Sequence, residues 1–206
     1  MLERTTGTTS VARSSAERNG NLVKGTLIAA RLRFLRARGL EMTERVLNRM
    51  SAEDQVTLRG MILPSSWYPA NILLRLEMTA AAIVARGDPK ALFVEMGRYS
   101  AQTNLGPTGV QRAYVRHGDP HFVLSNVPRM YVAQHTEGNR TYEKTADGGA
   151  IIRSQDGDKP RPEDCLTTAG WVGKAIEVSG GRNVVVEERL CRTRGAPHCE
   201  FHCSWV

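Results

Sequence analysis

Apolar residues in the first two thirds of this chain recur at helical spacing, and the last third mixes short extended runs with one more helix. From Gly25 the positions Ile28, Leu32 and Leu35 mark one helical stripe, with Gly39 as its stop. Glu41 to Met50 reads as a second helix. Ser51-Ala-Glu-Asp54 resembles a capping box and opens a third. The turn-rich segment Pro64-Ser-Ser-Trp-Tyr-Pro69 leads into a helix whose stripe is Ile72, Leu76, Ala80 and Ile83, ended by Gly87. Asp88-Pro89 caps the next helix, which carries Leu92, Met96 and Tyr99. Two more helices are expected, at about 108–116 and 120–135.

After Gly138 the pattern changes. Extended runs at 140–146 and 150–154 flank Asp147-Gly148-Gly149, a hairpin signal. Pro162-Glu-Asp opens a helix to about Ser179, with Cys165, Ala169, Val172 and Ile176 on one face and Gly180-Gly181 as its end. Asn183 to Glu187 and Glu200 to Trp205 read as strands joined through a turn at Gly195 to Pro197. The order predicts an α+β domain: a helical N-terminal half, then an antiparallel sheet packed on helices. Residues 1–21, rich in Thr, Ser, Arg and Gly, cannot bury enough surface to offset their ordering entropy. They are expected to be a flexible tail ahead of a single domain at 22–206.

Composition is that of an ordinary globular chain, 41% hydrophobic and 24% charged over 206 residues. No apolar run approaches the roughly 18 residues of a membrane span, and no secretory signal is visible, so a cytoplasmic, reducing location is expected. A net charge of +7 permits weak attraction to polyanions. No helix-turn-helix, zinc-finger or aromatic stacking motif turns that charge into specific nucleic-acid readout. An enzyme is not expected either: there is no nucleophile elbow, no phosphate-binding glycine loop and no placeable carboxylate pair.

All four cysteines lie in the last quarter of the chain. Cys165 falls in the first turn of the last helix. Glu188 and Cys191 fall near the end of one strand, and Cys199 at the start of its partner. A turn between Cys191 and Cys199 would bring their sulfurs together. Three sulfurs and a carboxylate suit tetrahedral zinc; calcium and magnesium are disfavoured, and iron stays chemically possible. With four protein ligands the metal would be structural. The same thiols could instead be small buried hydrophobes, and Glu187, His198, His202 and Cys203 are rival ligands. Strand alternation places Cys199, Phe201 and Cys203 on one face, which makes Cys203 a core residue.

The run Gly170-Trp171, Gly180-Gly181-Arg182-Asn183-Val184, Glu188, Cys191, Gly195, Pro197-His198-Cys199 and Phe201 resembles the closing motif of the 4-vinyl reductase domain. That domain shares a superfamily with TRAPP vesicle-tethering subunits and haem NO-binding domains. The resemblance implies zinc at Cys165, Glu188, Cys191 and Cys199, as in the phenol-sensing members. Leu63-Pro-Ser-Ser-Trp-Tyr-Pro69 and Gly97-Arg-Tyr-Ser-Ala-Gln-Thr-Asn-Leu105 are similar to an uncharacterised myxobacterial paralogous family. The resemblance further implies a homodimer and a pocket for a small hydrophobic ligand between helices and sheet. Candidate pocket residues are Phe93, Tyr99, Phe122, Tyr131 and Trp171, with His117 or His121 as polar partners. Phenol itself is not expected, because no tryptophan lies between Trp67 and Trp171. Haem is not expected: Tyr99-Ser100-Ala-Gln-Thr103 does not supply the Tyr-x-Ser-x-Arg clamp of the haem relatives, and no Cys-x-x-Cys-His is present. The implied activity is ligand-responsive regulation through a separate protein partner. The alternative is a TRAPP-like scaffold or adaptor with a filled interior.

Overall fold

The computed structural model describes residues 20–85, 87–155, 157 and 160–206. Most of the expected tail, residues 1–19, lies outside the described residues.

Helices come first. A short strand β1 (Leu22–Lys24) runs into α1 (Gly25–Arg36), followed by α2 (Leu40–Leu47) and α3 (Ala52–Arg59). Ser51 caps α3, its Oγ accepting from the Asp54 N–H at 3.2 Å. Strand β2 (Trp67–Pro69) pairs antiparallel with β1, a ribbon that joins the residues just after the expected tail to the turn-rich segment. Three-residue strands leave no alternation to detect. Helix α4 (Ala70–Val84) buries Ile72, Leu76 and Ala80, and α5 (Pro89–Leu105) starts at its Asp88 cap, which accepts from the Ala91 N–H at 3.0 Å.

Two expected helices differ. Over 108–116 there is only a tight turn at Arg112–Tyr114, because the chain doubles back and the Gln111 N–H takes the Asn104 carbonyl at 2.8 Å. The stretch 120–135 is split into α6 (Pro120–Ser125) and α7 (Val127–Val132). Pro128 has no N–H to continue the ladder, and Asn126 closes the first piece by donating to the Phe122 carbonyl at 2.8 Å.

The C-terminal part is a four-stranded antiparallel sheet of order β3-β4-β6-β5, formed by β3 (Asn139–Lys144), β4 (Ala150–Gln155), β5 (Val185–Leu190) and β6 (Cys199–Ser204). Helix α8 (Pro162–Val178) covers its inner face, where Ala150, Ile152, Phe201 and Cys203 are buried with Val172 and Ile176. Strand β5 starts two residues later than the sequence suggests, because Asn183 takes a left-handed φ of 50° and belongs to the turn.

Helix α5 joins the two halves. Its first turns pack with α1 and α4, while Ala101 and Leu105 join the sheet-side core. Against α8 it presents Gly97, where a Cβ would lie 2.0 Å from the Thr167 carbonyl oxygen. Gly170 answers from α8, its Cβ position 2.1 Å from the Val94 oxygen. The Arg98 guanidinium closes the contact by donating to both oxygens of Glu177 at 2.9 Å. No described helix is long and apolar enough to cross a membrane.

Candidate metal centre and adjoining cleft

The first turn of α8 sets Cys165 over the end of the sheet, and β5 and β6 bring the remaining donors. Alternation along an ideal strand would send Glu188 and Cys191 to opposite faces. A bulge between Glu188 and Leu190 breaks the alternation, so the inward Glu188 is followed by an inward, buried Cys191. The chain then makes a tight turn at Arg192–Arg194, closed by Gly195 at a φ of 89°, and re-enters the sheet at Cys199. The Arg194 and Ala196 N–H groups both donate to the Cys191 carbonyl, at 3.0 and 3.2 Å, and the Arg192 N–H points at the Cys199 sulfur at 3.4 Å.

The Cys165 sulfur sits 3.8 Å from that of Cys191 and 3.3 Å from that of Cys199. One ligand atom from each of Cys165, Glu188, Cys191 and Cys199 falls within 4.8 Å of all the others. A tetrahedral ion with bonds of about 2.3 Å to sulfur needs sulfurs about 3.8 Å apart, so a small contraction or expansion of this group would seat one. Glu188 supplies a second pointer. Its Oε1 is buried without a hydrogen bond, while Oε2 accepts from Arg194 at 3.4 Å. A buried carboxylate oxygen without a partner is costly unless a cation meets it. Burial, with Glu188 and Cys199 adding to it, pushes the Cys165 thiol up, and burial also raises Cys199. A bound metal would take these cysteines as thiolates, since a coordinating thiol gives up its proton.

The rivals stand elsewhere. Glu187 is exposed and pairs with Arg189. His198 and His202 flank Glu200, their Nε2 atoms 3.5 and 2.7 Å from its oxygens. Cys203 lies in the core opposite Ala150, its thiol pushed up to about 12 by burial.

Between the helical half and the sheet half lies a cleft of about 1310 Å³. Leu27, Ile72, Val127, Met130, Tyr131 and Trp171 give it apolar surface, and Thr167 and Thr168 of α8 line it beside Trp171. Of the seven candidate pocket residues, only Tyr131 and Trp171 line this cleft. Phe93 is buried in the helical core. Tyr99 packs edge-on against Phe34, its hydroxyl donating to the Arg33 carbonyl at 3.3 Å. His117 is an exposed loop residue. His121 is held at the sheet by the Tyr142 hydroxyl at 2.8 Å and the Gly148 carbonyl at 3.1 Å, and Phe122 lies under the Arg116 guanidinium.

The sequence reading missed the polar wall of the cleft: Arg31, Glu77, Ser100, Asn104 and Gln111, all buried. A signal was present. Arg31 sits within the Ile28, Leu32, Leu35 stripe and Glu77 within that of Leu76 and Ala80, and a charge inside an apolar stripe marks either a buried pair or a site.

No curated protein matches the chain. Among solved structures, an H-NOX protein from S. oneidensis in its Fe(II)NO state is 12% identical with a TM-score of 0.66, covering 89% of this chain and 99% of that one. An H-NOX mutant from K. algicida, Fe(II) unliganded, is also 12% identical, with a TM-score of 0.62 over 89% and 96%. An oxygen-binding H-NOX domain related to soluble guanylate cyclases is 12% identical with a TM-score of 0.64 over 88% and 94%. At such identity the likeness concerns the fold, which is that of H-NOX domains. The family model described as "Protein of unknown function (DUF2378)" matches residues 34–206, and the chain belongs to that family.

Proposed function

We propose that this chain is a non-catalytic regulatory module. It holds a small, largely hydrophobic ligand in the cleft, carries a structural zinc at Cys165, Glu188, Cys191 and Cys199, and signals through a separate protein. The cleft carries the reading. At about 1310 Å³ it exceeds the roughly 300–1,000 Å³ of ordinary ligand pockets, and it lies between the two halves of the fold, where ligands commonly bind. The oxygen-binding neighbour with this fold supports a sensory role, as does the resemblance to 4-vinyl reductase domains. A TRAPP-like scaffold would need no such cleft. A homodimer and a reducing, cytoplasmic setting belong to the same proposal and rest on the resemblance and on the free thiols.

The residues of the cleft do not fit haem, the group that the fold family implies. Haem needs an axial donor aimed into an apolar slot. The cleft's one lining histidine among the described residues, His135, lies flat on the Tyr131 ring at 4.0 Å. The inner wall carries an ion pair instead of apolar surface.

Native mass spectrometry of freshly purified protein tests the proposal. The expected spectrum shows about one zinc per chain, a dimer, and a retained or titratable organic ligand. Protein with less than about 0.2 zinc per chain would overturn the metal assignment. A sharp Soret band after hemin addition would overturn the exclusion of haem.

A further inference from the structure

The inner wall of the cleft is polar in an organised way. Arg31 of α1 and Glu77 of α4 form a buried ion pair. Arg31 also donates through Nη1 to the Met96 carbonyl at 3.1 Å and to the Ser100 hydroxyl at 2.5 Å. One helical turn beyond Ser100 stands Asn104, whose backbone carbonyl holds Gln111 against it at 2.8 Å. The Asn104 carboxamide oxygen meets Arg33 only at 3.5 Å, and the Gln111 carboxamide has no hydrogen bond among the described residues; both residues line the cleft. These two side-chain amides present hydrogen-bonding atoms to the cleft, where a bound group that both donates and accepts can pair with them.

The charges decide which group that is. Arg31 and Glu77 cancel each other, so the buried part of this wall offers no uncompensated charge; the other cation near it, Arg33, is exposed and reaches Asn104 only at 3.5 Å. An anionic head would meet Glu77 and a cationic one Arg31, each losing its hydration without a free counter-charge. A neutral head that both donates and accepts, such as a carboxamide, would satisfy the Asn104 and Gln111 amides without charge cost. Val127, Met130 and Trp171 stand ready for an apolar body.

We infer that the cleft selects neutral amphipathic molecules, with an apolar body against Met130 and Trp171 and an uncharged hydrogen-bonding head at Asn104 and Gln111. This rests on the reading of the cleft as a ligand site and adds the chemical class. The test uses three probes with one apolar body, naphthalene carboxamide, naphthalene carboxylate and the naphthylmethyl ammonium cation, titrated calorimetrically into the full chain at neutral pH. The carboxamide is expected to bind at least about tenfold more tightly than either ion, a conservative reading of the cost of burying an unpaired charge. Gln111→Leu, nearly isosteric, is expected to weaken the carboxamide by about three- to tenfold and leave the ions unchanged. Glu77→Gln, which leaves Arg31 uncompensated, is expected to move the preference to the carboxylate. Either ion binding the native chain as tightly as the amide, or a Gln111→Leu chain that is folded by circular dichroism yet binds the amide unchanged, overturns the inference while leaving the cleft a ligand site. Binding of none of the three removes the ligand reading and the inference with it.

Discussion

Replacing Gly97 by alanine isolates the contact on which the two halves depend. The added Cβ would stand 2.0 Å from the Thr167 carbonyl oxygen and 2.8 Å from the Trp171 nitrogen, both backbone atoms that no rotamer change can remove. To reach ordinary contact α5 and α8 must part by more than an ångström, which forfeits a good part of the dispersion energy along the interface. Overpacking of this kind costs about 1–3 kcal/mol, and a backbone obstacle belongs at or beyond the upper end. Alanine returns about 1 kcal/mol of helix propensity. The net loss is then about 2 kcal/mol, or about 4–8 °C in Tm for a chain of this size. Gly170→Ala, blocked at 2.1 Å by the Val94 oxygen, should cost a similar amount. The double variant should cost clearly less than the two together, since helices already parted by one methyl leave room for the other. Differential scanning calorimetry of the four chains measures this. A Gly97→Ala chain as stable as the native one, or fully additive losses, would refute the reasoning.

Cys191→Ser with Cys199→Ser is expected to abolish zinc binding and lower the unfolding temperature, because a structural metal contributes folding free energy directly; elemental analysis with a thermal melt checks both. Asp54→Asn is expected to cost about 1–2 kcal/mol at pH 7, a figure reduced for the half-exposed Arg75, since it breaks the paired bonds to Arg75 at 2.6 and 2.7 Å. The Arg75 bonds hold the Asp54 carboxyl below its usual range. The pair's contribution is therefore fully present above the unfolded value of about 3.9 and is lost as pH falls through the lower folded value. Urea midpoints of the native and Asp54→Asn chains should converge in acid and differ at pH 7. A gap that persists unchanged below about pH 2 would contradict the assignment.

Much of this arrangement is legible in the chain. The α1, α4, α5 and α8 stripes, the Ser51 and Asp88 caps and the Asp147-Gly148-Gly149 hairpin are local signals, and each element forms where its signal stands. The gathering of Cys165, Glu188, Cys191 and Cys199 was legible because it depends on element order: a helix start, a strand end and the next strand start. What stayed hidden depends on contacts far apart in sequence. The β1–β2 ribbon joins residues 22–24 to 67–69, too short on either side to show a period. The bulge that turns Cys191 inward is a matter of register with β6. Tyr131 and Trp171 line the cleft, whereas Phe93 and Tyr99 share a helix with the cleft residues Ser100 and Asn104 yet face the helical core, because composition cannot say which side of α5 is hollow.

Helix α8 ties these parts into one mechanical unit. Its first turn brings Cys165 to the sulfurs of Cys191, just past β5, and of Cys199 in β6, the next turn lines the cleft with Thr167, Thr168 and Trp171, and Gly170 locks it to α5. A metal at its N-terminus would fix the same helix to the sheet, so the α8 wall of the cleft stands between two anchors. The opposite wall presents polar contacts, Arg31 of α1, Glu77 of α4 and Ser100 of α5, over the apolar core that these three helices share. A ligand head at Asn104 and Gln111 sits beside that network and therefore acts on α1 and α4 more than on the sheet, because motion follows the side whose contacts can exchange partners. Hydrogen exchange with and without naphthalene carboxamide should show new protection in α1 and α4 and little change in β5 and β6. Protection confined to the sheet would place the moving part, and the surface that reports to a partner, on the other half of the molecule.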